Sequence, residues 1–288
     1  MKRTQPWPAR VTWLAVGLLS VPALRTALHG HTDAVRIVAA TEMWALWTVA
    51  LVATLVPRST SLTVYRIIAP LSLVAAVWAA FQHPGAVAAA LAVAAGVAAT
   101  VVAFGRFTTD AFVDGSSYGP EQRFALRVPL FLLAGPVQLT WLVTVGGLAG
   151  PLLLAAQQWL SGVLVTLVGL VIARFSTRSL HALARRWVVF VPAGVVLHDP
   201  LVLADAILLP RRQIVALGPA LADTTATDLT DGAPGLVLEV QHALTVELAV
   251  REGRHAAAQP VSAERLLFAP LRPGALLDAA AGRRVPVG

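Results

Sequence analysis

Long apolar runs separated by short polar breaks occupy the first 173 residues, after which the rhythm of the chain changes. A bilayer-spanning helix needs about 20 mostly apolar residues. Six stretches meet that need: 11–28, 34–56, 63–81, 86–104, 128–149 and 152–173. None shows the polar stripe of period 3.6 that marks a helix lying on a soluble core. The breaks between them are polar or rich in Pro and Gly: His29-Gly30-His31-Thr32-Asp33, Pro57-Arg58-Ser59-Thr60, Gln82-His83-Pro84-Gly85 and residues 146–151. After Arg186, short β-rich runs take over at 187–191, 195–198, 202–208, 213–217, 236–240, 245–250 and 265–268. Turn formers separate them, including Pro192-Ala193-Gly194, Pro200 and Asp231-Gly232-Ala233-Pro234-Gly235. An Ala/Leu-rich stretch at 274–281 follows Pro273 and reads as a closing helix with Pro near its first turn. The pattern predicts an α-helical membrane bundle of six transmembrane helices (1–183) and a small C-terminal mainly-β domain (184–288), long enough to bury a core of its own.

Composition points to the same solvent. Hydrophobic residues make up 57% of the chain and charged residues 13%, where soluble domains carry about 25% charged. The absence of cysteine excludes disulfides, thiolate metal sites and cysteine nucleophiles.

A net charge of +7 would suit a nucleic-acid partner, but its distribution does not. Residues 184–288 hold ten Arg and ten acids, so the excess lies entirely in 1–183. With the N-terminus cytoplasmic, the inner segments carry Lys2, Arg3, Arg10, Arg58, Arg66, Arg106, Arg123, Arg127, Arg174 and Arg178, and the outer segments only Arg25 and Arg36. Ten against two, alternating in register with six spans, follows the positive-inside rule. The expected location is the cell membrane, multi-pass, with both termini cytoplasmic and the lipid bilayer rather than nucleic acid as the partner. Arg25 near the expected cleavage region, without a small-x-small site, argues against reading the first span as a signal peptide.

Seven strands closed by one helix resemble the pleckstrin-homology-like barrel carried by many bacterial membrane proteins. The resemblance rests on Arg185-Arg186-Trp187-Val188-Val189-Phe190-Val191-Pro192-Ala193-Gly194-Val195-Val196-Leu197-His198, which looks like a first hairpin. It rests also on Leu208-Leu209-Pro210-Arg211-Arg212-Gln213-Ile214-Val215-Ala216-Leu217, where a strand leads into an R-x-x-I stretch. It covers 185–282 and implies a non-catalytic module that binds lipid headgroups or another protein. The arrangement of spans also resembles an uncharacterised type of actinobacterial membrane protein, a likeness that implies no activity.

Few residues carry candidate chemistry. Glu42 is the only acid well inside an expected span, where a carboxylate costs several kcal/mol or takes a proton. It lies about 12 Å into its helix at 1.5 Å per residue. Such a group either lines an ion or proton path or pairs structurally with Arg36 or Arg25; Arg36, six residues away, falls on a different helical face. Gln138 and the Gln157-Gln158 pair are expected within the fifth and sixth spans, as interhelical hydrogen-bond partners or as part of a polar cavity. Pro136 should bend the fifth helix. Ala88, Ala92, Gly96 and Thr100 recur every fourth residue of the fourth span, which suits close packing within the bundle or, alternatively, homodimerisation.

The 105–127 segment is far longer than the usual connection of about 4–6 residues. It contains Asp110, Asp114, Tyr118, Glu121 and Arg123. Its carboxylates suit a divalent cation, but the order of a calcium loop is missing; docking against the C-terminal domain is the plainer expectation. Arg174, Arg178, Arg185 and Arg186 follow the last span and are expected to face anionic lipid or to anchor topology. His198-Asp199-Pro200 reads as a turn, with no nucleophile at a recognisable spacing. With no G-x-S-x-G, H-E-x-x-H or Walker sequence, the expectation is no enzyme, no cofactor and no metal. A binding or scaffold protein leads, and a small transporter or channel built around Glu42 is the alternative.

Overall fold

The computed structural model describes residues 5–83, 85–129, 136–251 and 257–288, with side chains throughout except at 136–145 and 176. Two compact units make up the chain. One comprises 1–112 and 135–181, the other 113–134 and 182–288.

The first unit is helical. It contains α1 (Trp7–Ala27), α2 (Asp33–Leu55), α3 (Ser59–Ala80), α4 (Ala86–Phe104), α6 (Pro136–Ala155) and α7 (Trp159–Leu183). A shorter α5 (Arg106–Asp114) follows α4. Five helices, α1–α4 and α7, are long and apolar enough to cross a membrane, and α6 adds an apolar stretch at 146–155. α4 is the extreme case, with a mean hydropathy of 2.4 and no charged residue.

Part of the core between these helices is made of small side chains, beside buried Trp13, Leu62 and Tyr65. Ala23, Ala27, Ala76, Ala79 and Ala92 are buried in one cluster. A Cβ on Gly96 would lie 2.7 Å from Leu73 Cα, so the small stripe on α4 packs internally against the α3 backbone. Arginines close the helix ends. Arg10, in the first turn of α1, donates to the Thr54 carbonyl in the last turn of α2 at 3.2 Å. Arg66 donates to the Ala103 carbonyl at the end of α4 at 3.2 Å and to Thr109 Oγ1 at 2.6 Å. Cations at the negative ends of helix dipoles satisfy carbonyls that lack helical partners. These contacts make α1/α2 and α3/α4 antiparallel neighbours.

The last two helices depart from the expected spans. Residues 146–151 are not a break: they lie inside α6, with Pro151 in the helix. The turn falls instead at 156–158, where Gln157 adopts a φ of 61°. α7 therefore starts seven residues later than expected and continues through His181, whose Nδ1 lies 3.5 Å from Thr63 Oγ1. The glycines taken for turn formers form a contact surface instead. A Cβ on Gly169 would lie 2.5 Å from Gly147 Cα, and one on Gly150 3.0 Å from Thr166 Cα. Membrane helices use Gly in this way because lipid supplies no hydrophobic drive for association, so close backbone packing must. The expected bend before Pro136 involves residues outside those described.

The second unit is mainly β and contains two four-stranded sheets. The first, in the order β1-β2-β3-β4, joins β1 (Gln122–Ala125), β2 (Trp187–Val191), β3 (Gly194–His198) and β4 (Ile207–Pro210), all antiparallel. The second, in the order β5-β7-β8-β6, joins β5 (Ile214–Pro219), β7 (Leu238–Arg251), β8 (Ala258–Phe268) and the short parallel β6 (Thr227–Asp228). The expected runs 236–240 and 245–250 are one strand, β7, broken only by a register shift between Gln241 and Val246. Outside the ladders, Leu203 bridges to Val250. Among the described residues the sheets do not close into the single barrel expected. α8 (Pro273–Gly282) buries Leu276, Ala279 and Ala280.

The expected 105–127 loop is largely ordered. Its first half holds α5, and its second half holds, after a turn, the four-residue β1, which pairs with β2 in the register Phe124↔Val188. The expected docking onto the C-terminal domain is realised as a strand of that domain's own sheet.

Candidate functional site

The helical unit contains a cavity of about 530 Å3 lined by α1, α2, α3 and the end of α6. Glu42 lines it from the middle of α2; among the described residues it is the only carboxylate there, and no Lys or Arg lines it. His31 stands in the lining from the α1–α2 turn, and Ser20 and Ser72 supply hydroxyls from α1 and α3. Four tryptophans line it as well: Trp13, Trp44, Trp47 and Trp78.

Two of these tryptophans are fixed by reciprocal hydrogen bonds between helices. Trp13 Nε1 donates to the Trp47 carbonyl at 2.8 Å, and Trp47 Nε1 donates to the Trp13 carbonyl at 3.2 Å. Carbonyls inside an α-helix retain a second lone pair, so each indole N–H is satisfied without breaking its neighbour's backbone bond. Trp44 meets Trp47 edge-on, with ring centroids 5.6 Å apart. Trp78 lies 6.1 Å from the His31 ring.

Glu42 does not form the ion pair considered for it. Arg36 is paired with Asp33 three residues away, both exposed. Among the described residues Glu42 makes no hydrogen bond or ion pair. Gln157 does not join it, because the amide sits exposed in the α6–α7 turn rather than within a span. Gln138 belongs to α6, and its side chain is outside those described.

The polar residues of 105–127 brace a local turn. Asp110 is buried in α5. Asp114 Oδ1 accepts from Ser117 Oγ at 2.9 Å and from the Arg123 amide at 3.0 Å. Glu121 accepts from the Tyr118 amide at 3.3 Å and lies 3.6 Å from Arg123, whose guanidinium stacks 5.3 Å from the Trp187 ring centroid. Tyr118 is 86% exposed. Among the described residues no three His, Cys, Asp or Glu side chains converge in a way that would hold a metal ion.

Of the four arginines expected to face lipid, Arg174, Arg178 and Arg185 are exposed. Arg186 is not: it is 2% exposed and clamps Asp199. Its Nε lies 2.8 Å from Asp199 Oδ1 and its Nη2 2.6 Å from Oδ2, while its Nη1 donates to the Arg127 carbonyl at 2.7 Å. Asp199 Oδ1 also accepts from the Leu201 amide at 3.2 Å. The His198-Asp199-Pro200 turn is thus an anchor for a buried ion pair. Beside it, burial holds the His198 imidazole below its ordinary range; Arg185 and Arg123 push the same way against Asp199. Its ring packs edge-on against Trp187 at 4.7 Å.

Comparison with known proteins returns no family model that matches the chain, no curated protein that matches it and no solved structure that matches it.

Proposed function

We propose that this is a multi-pass membrane protein whose helical unit anchors a non-catalytic mainly-β binding module at the cytoplasmic face. The observation that carries this reading is the apolar outer surface of the long helices. Leu18 is 76% exposed and Leu160 77%, with Ile37, Val101 and Leu170 also exposed. Contiguous apolar faces on this scale suit lipid rather than water. The shift in the α6–α7 turn leaves the charge alternation intact, because residues 149–158 carry no charge. Reporter fusions after residues 30, 83 and 157 should therefore report the outer side, and those after 58 and 106 the inner side. A cytoplasmic signal at residue 157 would remove the sixth span.

The mainly-β unit supports the pleckstrin-homology-like plan in its successive antiparallel strands, its two sheets and its closing helix. It departs from that plan in recruiting β1 from between α5 and α6 and in leaving the barrel open. Its ligand on this reading is an anionic lipid headgroup or a membrane-protein partner. Residues 113–129 joined by a flexible linker to 182–288 should give a soluble protein, whereas 184–288 alone, with the β2 edge uncovered, should aggregate. Sedimentation of the two-segment protein with anionic vesicles tests the lipid arm, and site-directed photo-crosslinking in native membranes tests the protein arm. Failure of both would remove the binding-module reading.

A second reading, transport or conduction past Glu42, is favoured by the cavity in which that carboxylate stands without a partner.

A further inference from the structure

We infer that the cavity lined by α1, α2, α3 and α6 is a binding site for a hydrophobic organic cation, a bulky quaternary ammonium or phosphonium type of molecule. Its positive centre would be met by Glu42 and by tryptophan faces. The inference rests on the membrane-spanning reading of these helices and does not require transport.

The volume, about 530 Å3, lies within the range of small-molecule sites. Among the described residues the charge in the lining has one sign: a single carboxylate, with no Lys or Arg. An anion would meet the repulsion of that carboxylate with no Lys or Arg among the described lining residues to offset it. A neutral apolar ligand would leave the carboxylate desolvated and unpaired, at a cost. A metal ion such as Ca2+ or Mg2+ asks for about six to eight oxygens, and the described lining offers one carboxylate, two serine hydroxyls and the His31 ring among apolar and aromatic groups. An organic cation needs none of that coordination. It needs a counter-charge, an apolar wall and aromatic faces, and Trp is the strongest aromatic partner for a cation.

Among the described residues, Trp13, Trp44, Trp47 and Trp78, four of the chain's eight tryptophans, line this one cavity. Trp13 and Trp47 are locked by their reciprocal hydrogen bonds, and Trp47 also packs on Gly17, where a Cβ would lie 2.5 Å from its Nε1. A rigid aromatic wall loses little entropy when it binds a ligand. Ser20 gives a second, independent indication. It lines the cavity, is 4% exposed, and its hydroxyl has no hydrogen-bond partner. Buried polar groups are otherwise satisfied, and a ligand in this cavity would cover both Glu42 and Ser20.

The test uses the full chain in lipid nanodiscs, with tetraphenylphosphonium as the cationic probe and triphenylphosphine oxide as a neutral one of similar bulk. Tetraphenylphosphonium should bind saturably at one site per chain, quench tryptophan fluorescence, and bind at least about tenfold more tightly than the neutral probe, a factor of ten being 1.4 kcal/mol. Glu42→Gln, nearly isosteric, should abolish that preference, and Glu42→Asp should retain part of it. Ala39→Trp keeps the carboxylate but fills the cavity, and should abolish binding of both probes. Should Glu42→Gln fail to fold, the Ala39→Trp result and the probe preference of the wild-type chain still decide. Equal binding of the two probes, or cation binding unaffected by Ala39→Trp, would overturn the inference. Uptake of the same cation into proteoliposomes is read separately: binding without uptake keeps the site and removes the transport reading, and absence of saturable binding removes the site.

Discussion

Arg186→Met should unfold the mainly-β unit or cost it about 3–5 kcal/mol, the range for breaking one side of a buried ion pair. The clamp spans three separate parts of the chain. Arg186 immediately precedes β2, Asp199 immediately follows β3, and the Arg127 carbonyl that accepts from Arg186 Nη1 follows β1. Without the guanidinium, the Asp199 carboxylate remains buried and, among the described residues, keeps the Leu201 amide as its hydrogen-bond donor, and the Arg127 carbonyl loses the Arg186 donor. Both polar groups then carry a desolvation cost that the native pair offsets. Arg186→Lys should fall between the two, since an ammonium keeps the charge but cannot donate to two carboxylate oxygens and a carbonyl in the planar arrangement seen here.

The double variant Arg186→Met/Asp199→Leu separates cost from contribution. Replacing both charges by apolar groups removes the unpaired carboxylate, and such replacements are often neutral or stabilising. The double variant should therefore be more stable than Arg186→Met alone, with a coupling energy well above the few tenths of a kcal/mol expected for independent sites. Hydrogen exchange of the full chain in detergent is the measurement. Protection should fall across β1–β4 in the single variant and recover in the double, with α1–α4 unchanged in both. Unchanged protection in Arg186→Met would show that the clamp contributes nothing net.

That clamp also shows where sequence reasoning stops. An arginine thirteen residues after the expected end of a span reads as a topology charge, and nothing local signals that its partner is an aspartate another thirteen residues on. The first four helices were legible to within four residues at each end. In each, a long apolar run ends at a polar or Pro/Gly break, and hydrocarbon demands an uninterrupted helix. The same rule failed at 146–151, because in a helix hairpin Gly is a packing residue as well as a turn former.

Strands were legible where a hydrophobic run was long enough, as in β2 and β3. They were not where the pairing was supplied by distant chain, as in the four-residue β1 with its polar Gln122-Arg123 start. Glu42 was legible as a lone acid in an apolar run. Its surroundings were not, because Trp13 and Trp78 come from other helices and sequence spacing does not report which faces meet.

Gly169→Leu should separate α6 from α7, and Gly146→Ala should not. The two glycines sit on facing helices of one hairpin, so propensity alone predicts a gain of about 1 kcal/mol for removing either from a helix interior. Their surroundings differ. The Cβ of any residue at 169 would lie 2.5 Å from Gly147 Cα and 2.9 Å from its amide nitrogen, whereas one at 146 meets nothing within 4 Å. Backbone atoms cannot rotate away as a side-chain tip can, so the helices must part along their length. Overpacking of this kind costs about 1–3 kcal/mol and occasionally more. The contacts at Gly150 against Thr166 and Gly162 against Leu154 belong to the same interface and would open with it, which places the effect at the upper end. On the membrane-spanning reading proposed above, the lost contacts also have no hydrophobic compensation, since lipid tails would replace them at no gain. Thermal unfolding of the full chain in detergent should show Gly169→Leu as markedly less stable, or unrecoverable from membranes, with Gly146→Ala at or slightly above the parent. Equal stability of the two variants would place α7 elsewhere than against the glycine face of α6.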